Sequence, residues 1–137
     1  MTMFPAPIYQ VRRAALSARL RETGARGLVL LPGHVDSPMN YRDNAYDFRQ
    51  DASFLYFCGL AQPGLALVLD LDDGVATLYG DDASIDDLVW TGPVPGLAER
   101  AEASGLARHA PSAIRASPRS TSRRAARWCA PSSRCGP

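Results

Sequence analysis

The chain has 137 residues, of which 46% are hydrophobic and 21% charged, with a formal net charge of +1; these values are typical of one soluble globular domain. They exclude a membrane-spanning helix, because no apolar run approaches the ~20 residues that cross a bilayer. The N-terminus has neither the basic region nor the apolar stretch of a secretory signal, so we expect a cytoplasmic protein.

The first predicted element is an amphipathic helix over residues 8–23, followed by Gly24 as a C-cap. Residues 27–31 form a short apolar run that ends at Pro32-Gly33, which predicts a buried strand in a sheet covered on at least one face. The three-to-four spacing of apolar side chains predicts the core-facing stripe of the helix, made of Ile8, Val11, Ala15, Leu16 and Leu20.

A polar, turn-rich segment over residues 32–52 precedes an aromatic stretch, residues 53–58, that favours a strand ending at Gly59. Two apolar runs, residues 65–70 and 75–79, flank an Asp-Gly pair, which is a strong signal for a β-hairpin. Residues 84–90 and 97–104 favour two short helices. The predicted fold class is therefore α/β: a mixed β-sheet with an antiparallel hairpin, flanked by helices and incomplete at the C-terminus.

Residues 46–60 resemble a signature of the aminopeptidase P N-terminal domain, a domain of the creatinase or pita-bread metallopeptidases. Its aromatic-Arg-Gln-Asp core is followed by a Phe-x-Tyr-x-x-Gly string and by Gln62-Pro63. The context is similar too: an Arg12-Arg13 pair in the opening helix, a strand before the signature, a hairpin after it, and an Asp-rich run that ends in Trp90-Thr91-Gly92. The order and spacing agree over roughly residues 8–106.

The resemblance implies an N-terminal, non-catalytic domain of an Xaa-Pro aminopeptidase. Its full-length parent is expected to hydrolyse the bond between an N-terminal residue and proline with two manganese ions, held in a second domain by two Asp, one His and two Glu. This chain has only two histidines, His34 and His109, and neither has a cluster of carboxylates near it in sequence. We therefore expect no metal site, no cofactor and no peptidase activity in the chain alone.

A few residues are candidates for contacts, and the resemblance bears on one of them. The resemblance implies that Trp90 lies near the active site of a neighbouring subunit in a homo-oligomeric parent; packing within its own domain is the alternative. Arg49 and Asp51 are candidates for a domain or subunit contact, or for an ion pair that fixes their loop. Phe54 and Tyr56 alternate along the predicted strand, so we expect them to share one face and to pack in the core or at an interface.

Charge and composition change near residue 108. Residues 1–108 contain nine arginines and all 14 acidic residues, whereas residues 109–137 contain six arginines and no acid. We predict a folded domain over residues 1–108 and a disordered tail rich in Arg, Ser, Ala and Pro over residues 109–137. The tail is open to three interpretations: a nucleic-acid-binding arm, an inert extension, or the out-of-frame translation of a GC-rich gene.

We favour a frameshift or premature truncation for the tail, because the composition changes abruptly inside the region of resemblance, just after a predicted helix. Nucleic-acid binding is disfavoured because the folded part is acidic and shows no nucleic-acid-binding fold. The resemblance then implies two missing parts: the rest of this domain and the catalytic domain. The catalytic domain would be the partner of this chain. Xaa-Pro peptides would be substrates of the parent only. The alternative is a stand-alone protein-interaction module without peptidase activity, which has kept an assembly surface.

Overall fold

The described residues form a four-stranded mixed sheet with helices on one face. The computed structural model describes residues 2, 4–41, 44–83, 85, 89 and 92–112. The strands lie in the order β1-β2-β3-β4; the first two pairs are antiparallel and β3/β4 is parallel. The elements in chain order are α1 (Ala6–Glu22), β1 (Leu28–Pro32), α2 (Ala52–Cys58), β2 (Ala66–Asp70), β3 (Ala76–Tyr79), α3 (Leu97–Ala103) and β4 (Arg108–Ala110). The predicted fold class is confirmed.

Helix α1 begins two residues before its predicted start and ends one residue before its predicted end, and the face that it buries differs in part from the predicted one. Tyr9 and Arg13 are buried, whereas Val11 is 68% exposed. The predicted stripe was right for Leu16, which packs against the core, and wrong for Val11. Spacing of apolar residues alone leaves out Tyr9 and Arg13, although a tyrosine ring and a guanidinium can be buried when their polar atoms are hydrogen-bonded. Gly24 follows the helix at φ +82° and donates its N–H to Arg21 O, as expected of a residue that ends a helix.

The aromatic segment 53–58 is helical, so the predicted strand there was wrong. Asp51 caps the N-terminus of α2, and Gly59 ends the helix at φ +73°. Phe54 and Cys58 are four residues apart and lie on the buried side, whereas Tyr56 is 52% exposed. A strand would have placed all three side chains on one face. The cap at Asp51 and the left-handed conformation of Gly59 favour a helix between them. They outweigh the strand propensity of the aromatic residues, which depends strongly on context.

The predicted hairpin is confirmed as β2 and β3. Asp70 closes it, because its Oδ1 accepts hydrogen bonds from Asp72 N (2.9 Å) and Asp73 N (3.1 Å), and Gly74 adopts φ +73°. This register pairs Leu67 with Leu78 on the helix-covered face of the sheet. The core on that face consists of Phe54, Cys58, Leu60, Leu65, Leu67, Leu69, Leu78, Leu97, Ala101 and Leu106.

Helix α3 connects β3 to β4, which pairs in parallel with β3. Asp82 Oδ1 accepts the hydrogen bond of Leu97 N (2.5 Å) at the start of this helix. The strand spans the boundary predicted at residue 108, because pairing of residues 108–110 with β3 satisfies backbone groups without any apolar periodicity. The predicted helix over residues 84–90 and the tail beyond Ser112 lie outside the described residues, except Ile85 and Val89.

Candidate functional site

The signature segment is held in place by the buried side chain of Gln50. Its Oε1 accepts hydrogen bonds from His34 N (2.6 Å) and Asp51 N (2.9 Å), and its Nε2 donates to Gln62 O (2.7 Å). Gln50 therefore joins the end of β1, the start of α2 and the loop before β2. Sequence reasoning selected its neighbours and missed Gln50, whose only signal was its place in the signature.

Arg49 and Asp51, the residues predicted for a contact, have separate local roles. Asp51 Oδ1 accepts the hydrogen bond of Phe54 N (2.9 Å) and caps α2. Arg49 is exposed, and its backbone oxygen lies 3.0 Å from His34 Nδ1. Within the described part of the chain the single ion pair joins Arg26 and Asp72. The side chains of Arg49 and Asp51 are therefore not paired with each other. A contact through either residue stays a prediction.

Phe54 and Tyr56 do not share a face. Phe54 is fully buried in the core of its own domain, whereas Tyr56 lies on the outer side of α2. The guanidinium of Arg12 lies 4.1 Å from the centre of the Tyr56 ring and donates a hydrogen bond to Tyr56 O (2.9 Å). The rings of Phe4 and Tyr9 lie 5.2 and 5.7 Å from the same guanidinium, within the range of cation–π contacts.

Arg13, next to Arg12, is 5% exposed and joins three helices. Its Nη1 donates to Phe57 O (2.8 Å) and Ser104 Oγ (3.3 Å), and its Nη2 donates to Ser104 O (3.0 Å) and Gly105 O (3.1 Å). These carbonyls lie at the C-terminal ends of α2 and α3, where helices leave acceptors without partners. Burial lowers the pKa of Arg13, but a guanidinium stays protonated in proteins. The Arg13 guanidinium therefore has a structural role: it holds the three helices together.

Cys58 lies beside this arrangement, with its Sγ 3.5 Å from Ser104 Oγ. Burial raises the pKa of the Cys58 thiol, and the hydrogen bond from Ser104 and the charge of Arg13 offset part of that rise. The reactive form of cysteine is the thiolate. Because the thiol is buried and kept neutral, it is a packing group and not a nucleophile.

The raised pKa of Cys58 predicts a pH dependence of stability. Above the ordinary thiol pKa of about 8.5, the unfolded chain loses this proton while the folded chain keeps it, so the free energy of unfolding falls as pH rises. We expect Cys58→Ala to lower stability at pH 7 and to flatten the decline between pH ~8 and ~10. Urea unfolding across this range measures both slopes; equal slopes in the wild type and the variant would contradict the prediction.

The residues described in the structure do not fit a two-metal site. No three His, Cys, Asp or Glu side chains among them converge on a common point. His34 lies in a loop, and its ring contacts a backbone oxygen rather than a carboxylate.

Trp90, predicted to lie near a neighbouring active site, is outside the described residues. Among the residues that are described, no helix has the length and hydropathy needed to cross a membrane.

Most side chains of β1 and β2 on the sheet face opposite the helices are apolar, and the described chain leaves them uncovered. Leu28 and Leu30 in β1 are 70% and 61% exposed, and Val35 just beyond the strand is 70% exposed. A groove of about 660 Å³ lies on this surface. We call this surface the open sheet face and define it by six residues that line the groove: Leu28, Leu30, Val35, Ala66, Val68 and Tyr79.

Comparisons with known proteins all identify the same family. The family model described as "Aminopeptidase P, N-terminal domain" matches residues 9–114. A "Probable Xaa-Pro aminopeptidase" of Arthroderma otae is 30% identical over 88 residues, which are 64% of this chain and 18% of the relative. A "Probable Xaa-Pro aminopeptidase pepP" of Aspergillus fumigatus is 30% identical over 99 residues, 72% of this chain and 21% of the relative. The resemblance based on the signature is confirmed.

Two solved structures show the same fold. The aminopeptidase PepP of Pseudomonas aeruginosa has a TM-score of 0.68 at 24% identity, with 82% of this chain and 25% of that chain covered. Aminopeptidase P from Escherichia coli, in its low-pH form, has a TM-score of 0.66 at 24% identity, with 81% and 25% covered. The chain thus spans about a fifth to a quarter of the length of the proteins it matches.

Proposed function

Because the chain belongs to the aminopeptidase P N-terminal domain family, we propose that it is the non-catalytic N-terminal domain of an Xaa-Pro aminopeptidase. The observation that carries the proposal is the family match over residues 9–114 together with the small share of each relative that the chain spans. In the parent, a separate domain holds two manganese ions and cleaves the bond between an N-terminal residue and proline. The parent works in the cytoplasm as a homo-oligomer.

The role of this domain is to restrict access to the catalytic site and to build the oligomer. Its exposed features support a role in contacts rather than in chemistry: the arginine of the Arg12–Tyr56 stack is fixed by a hydrogen bond, and Arg49 projects from the loop before α2. Arg49, Asp51 and Tyr56 are the candidates for contacts with the catalytic domain or another subunit. Trp90 is the candidate for the pocket of a neighbouring subunit.

The chain on its own is inactive, because its described residues bring no cage of carboxylates and imidazoles together. We expect purified chain, supplied with Mn²⁺ and an Xaa-Pro peptide, to release no more free N-terminal residue than buffer does. Aminopeptidase P from Escherichia coli, assayed alongside, controls for the peptide and the metal. Release that co-elutes with the chain and stops when the metal is chelated would contradict the proposal.

A second candidate function is a stand-alone interaction module, and the open sheet face is the observation that favours it. A monomer seldom exposes so many neighbouring large apolar side chains without a binding role. Both candidate functions predict no peptidase activity, so an activity assay does not distinguish them. The oligomeric state of the purified chain does. A single oligomer of defined mass favours the module, whereas polydisperse aggregation favours a domain that has lost the parts that cover it.

A further inference from the structure

The turn of the β2/β3 hairpin contains a chemically reactive pair of residues, Asp73 and Gly74. Asp-Gly occurs once in the sequence, and Asn-Gly does not occur. In such a pair the backbone nitrogen of the glycine can attack the side-chain carbonyl carbon of the residue before it, because glycine has no Cβ to hinder the approach. Both residues are exposed to solvent, and they lie at a loop tip, where the backbone opens most readily.

The first half of this turn is anchored to the rest of the domain. Leu71 is buried; its N–H donates to Gly27 O (2.8 Å), and its oxygen accepts a hydrogen bond from Arg21 Nε (2.6 Å). The two strands are closed by Asp70 N, which donates to Val75 O (2.8 Å). The tip over residues 72–74 can therefore open while the sheet and the core stay in place.

Asp70 holds the tip of the turn. Its Oδ1 accepts the N–H groups of Asp72 and Asp73 (2.9 and 3.1 Å), and its backbone oxygen accepts the Gly74 N–H (2.9 Å). We call these three hydrogen bonds the Asp70 clamp. The other contact of the tip within the described chain is an exposed ion pair between Arg26 and Asp72 at 3.9 Å, which adds little. While the clamp is closed, the Gly74 N–H is directed at Asp70 O, so attack on Asp73 requires the clamp to open.

We propose that Asp73-Gly74 is a site of spontaneous isoaspartate formation and that the Asp70 clamp sets its rate. Gly74 N attacks Asp73 Cγ and forms a C–N bond, and the proton of the nitrogen leaves with the carboxyl OH as water. Water then opens the cyclic imide. Addition at the α-carbonyl carbon leaves a carboxylate there and a main chain that runs through Cγ, whereas addition at Cγ restores aspartate. The reaction uses only water, and it rests on the turn and not on the proposed function.

The product changes the hairpin. Isoaspartate lengthens the main chain by one atom between residues 73 and 74, so the loop no longer matches the closing pair of Asp70 and Val75. The hairpin register pairs Leu67 with Leu78 in the core, and a change in the turn acts directly on this register. We therefore expect the modified chain to unfold at a lower concentration of denaturant than the unmodified chain.

The test incubates the full chain for several weeks at neutral pH and body temperature, folded and in guanidinium chloride. Samples are then denatured, and isoaspartate is counted by methyl transfer from S-adenosylmethionine with a protein isoaspartate methyltransferase. Peptide mass spectrometry locates the modified residue. We expect isoaspartate to accumulate at residue 73 in the folded chain, more slowly than in the unfolded chain, because the clamp must open first.

Asp70→Ala removes the side-chain acceptor of the clamp and should raise the rate in the folded chain at least about threefold. Asp70→Asn keeps an oxygen acceptor at this position and should react close to the wild-type rate. In guanidinium chloride all three chains should react equally, since none has a clamp there. Circular dichroism melting checks that the variants are folded under the incubation conditions.

Asp73→Glu is the matched control for the reacting carboxyl group. It keeps the charge and the backbone N–H of residue 73, but its cyclisation requires a larger ring that forms far more slowly, so no isoaspartate should appear at this position. A folded wild-type chain without isoaspartate at residue 73 would overturn the site. Equal rates for the folded and unfolded wild type, or for folded wild type and Asp70→Ala, would overturn the role of the clamp.

Discussion

Replacing Arg13 with alanine should cost about 3–5 kcal/mol of unfolding free energy, because the substitution removes a buried side chain and four hydrogen bonds together. The acceptors left behind are Phe57 O, Ser104 Oγ, Ser104 O and Gly105 O, at the ends of two different helices. A small domain has only about 5–15 kcal/mol of stability in total. Equilibrium unfolding in urea measures the loss, and a midpoint shift without a change in slope shows that the transition is the same.

Arg12→Ala is the matched control, since the two arginines are neighbours in the same helix. Among the described residues, Arg12 makes one hydrogen bond, to Tyr56 O, and stacks on the exposed rings of Phe4 and Tyr56, so we expect its loss to cost about 1 kcal/mol. Arg13→Lys should fall between the two, because an ammonium cannot reach both groups of carbonyls in the planar geometry of a guanidinium. Similar losses for Arg12→Ala and Arg13→Ala would show that Arg13 does not join the helices.

Gly59→Ala is the other substitution with a large expected effect, about 2–4 kcal/mol. Gly59 ends α2 at φ +73°, a conformation that side chains rarely adopt. An added Cβ would also overlap the ring of Tyr9, reaching within 2.6 Å of its Cε1. Tyr9 is 1% exposed, and its hydroxyl accepts a hydrogen bond from Phe4 N (3.0 Å), so the ring has little room to move.

Gly24→Ala separates the two causes. Gly24 has a similar φ of +82°, but a Cβ there meets nothing within 4 Å, so its cost should be that of the backbone alone, about 1 kcal/mol. In a Tyr9→Leu background, Gly59→Ala should cost close to the Gly24→Ala value, because the ring that the Cβ overlaps has been removed. Thermal or urea unfolding of the four variants completes the cycle. An unchanged cost in the Tyr9→Leu background would show that Tyr9 is not the obstacle.

Several features followed from local chemistry alone. The helix over residues 8–23, the end signal at Gly24 and the hairpin around Asp73-Gly74 were predicted because turns and helix ends depend on residues close in sequence. The family was recognised from residues 46–60 and the order of elements around them, and the match over residues 9–114 confirms it. The role of Trp90 rests on that resemblance, whereas those of Arg49, Asp51 and Tyr56 rest on their residue types and positions, and all four stay predictions.

The sequence by itself therefore determined the class of fold, the hairpin and the family. The tertiary structure alone decided which face of α1 is buried, since Arg13 becomes a core residue only when the ends of α2 and α3 bring four acceptors to it. It also decided that residues 52–58 are a helix and that the apolar outer side of β1 and β2 is left uncovered by the described chain. Each of these depends on groups distant in sequence, whose contacts local propensity and spacing do not contain.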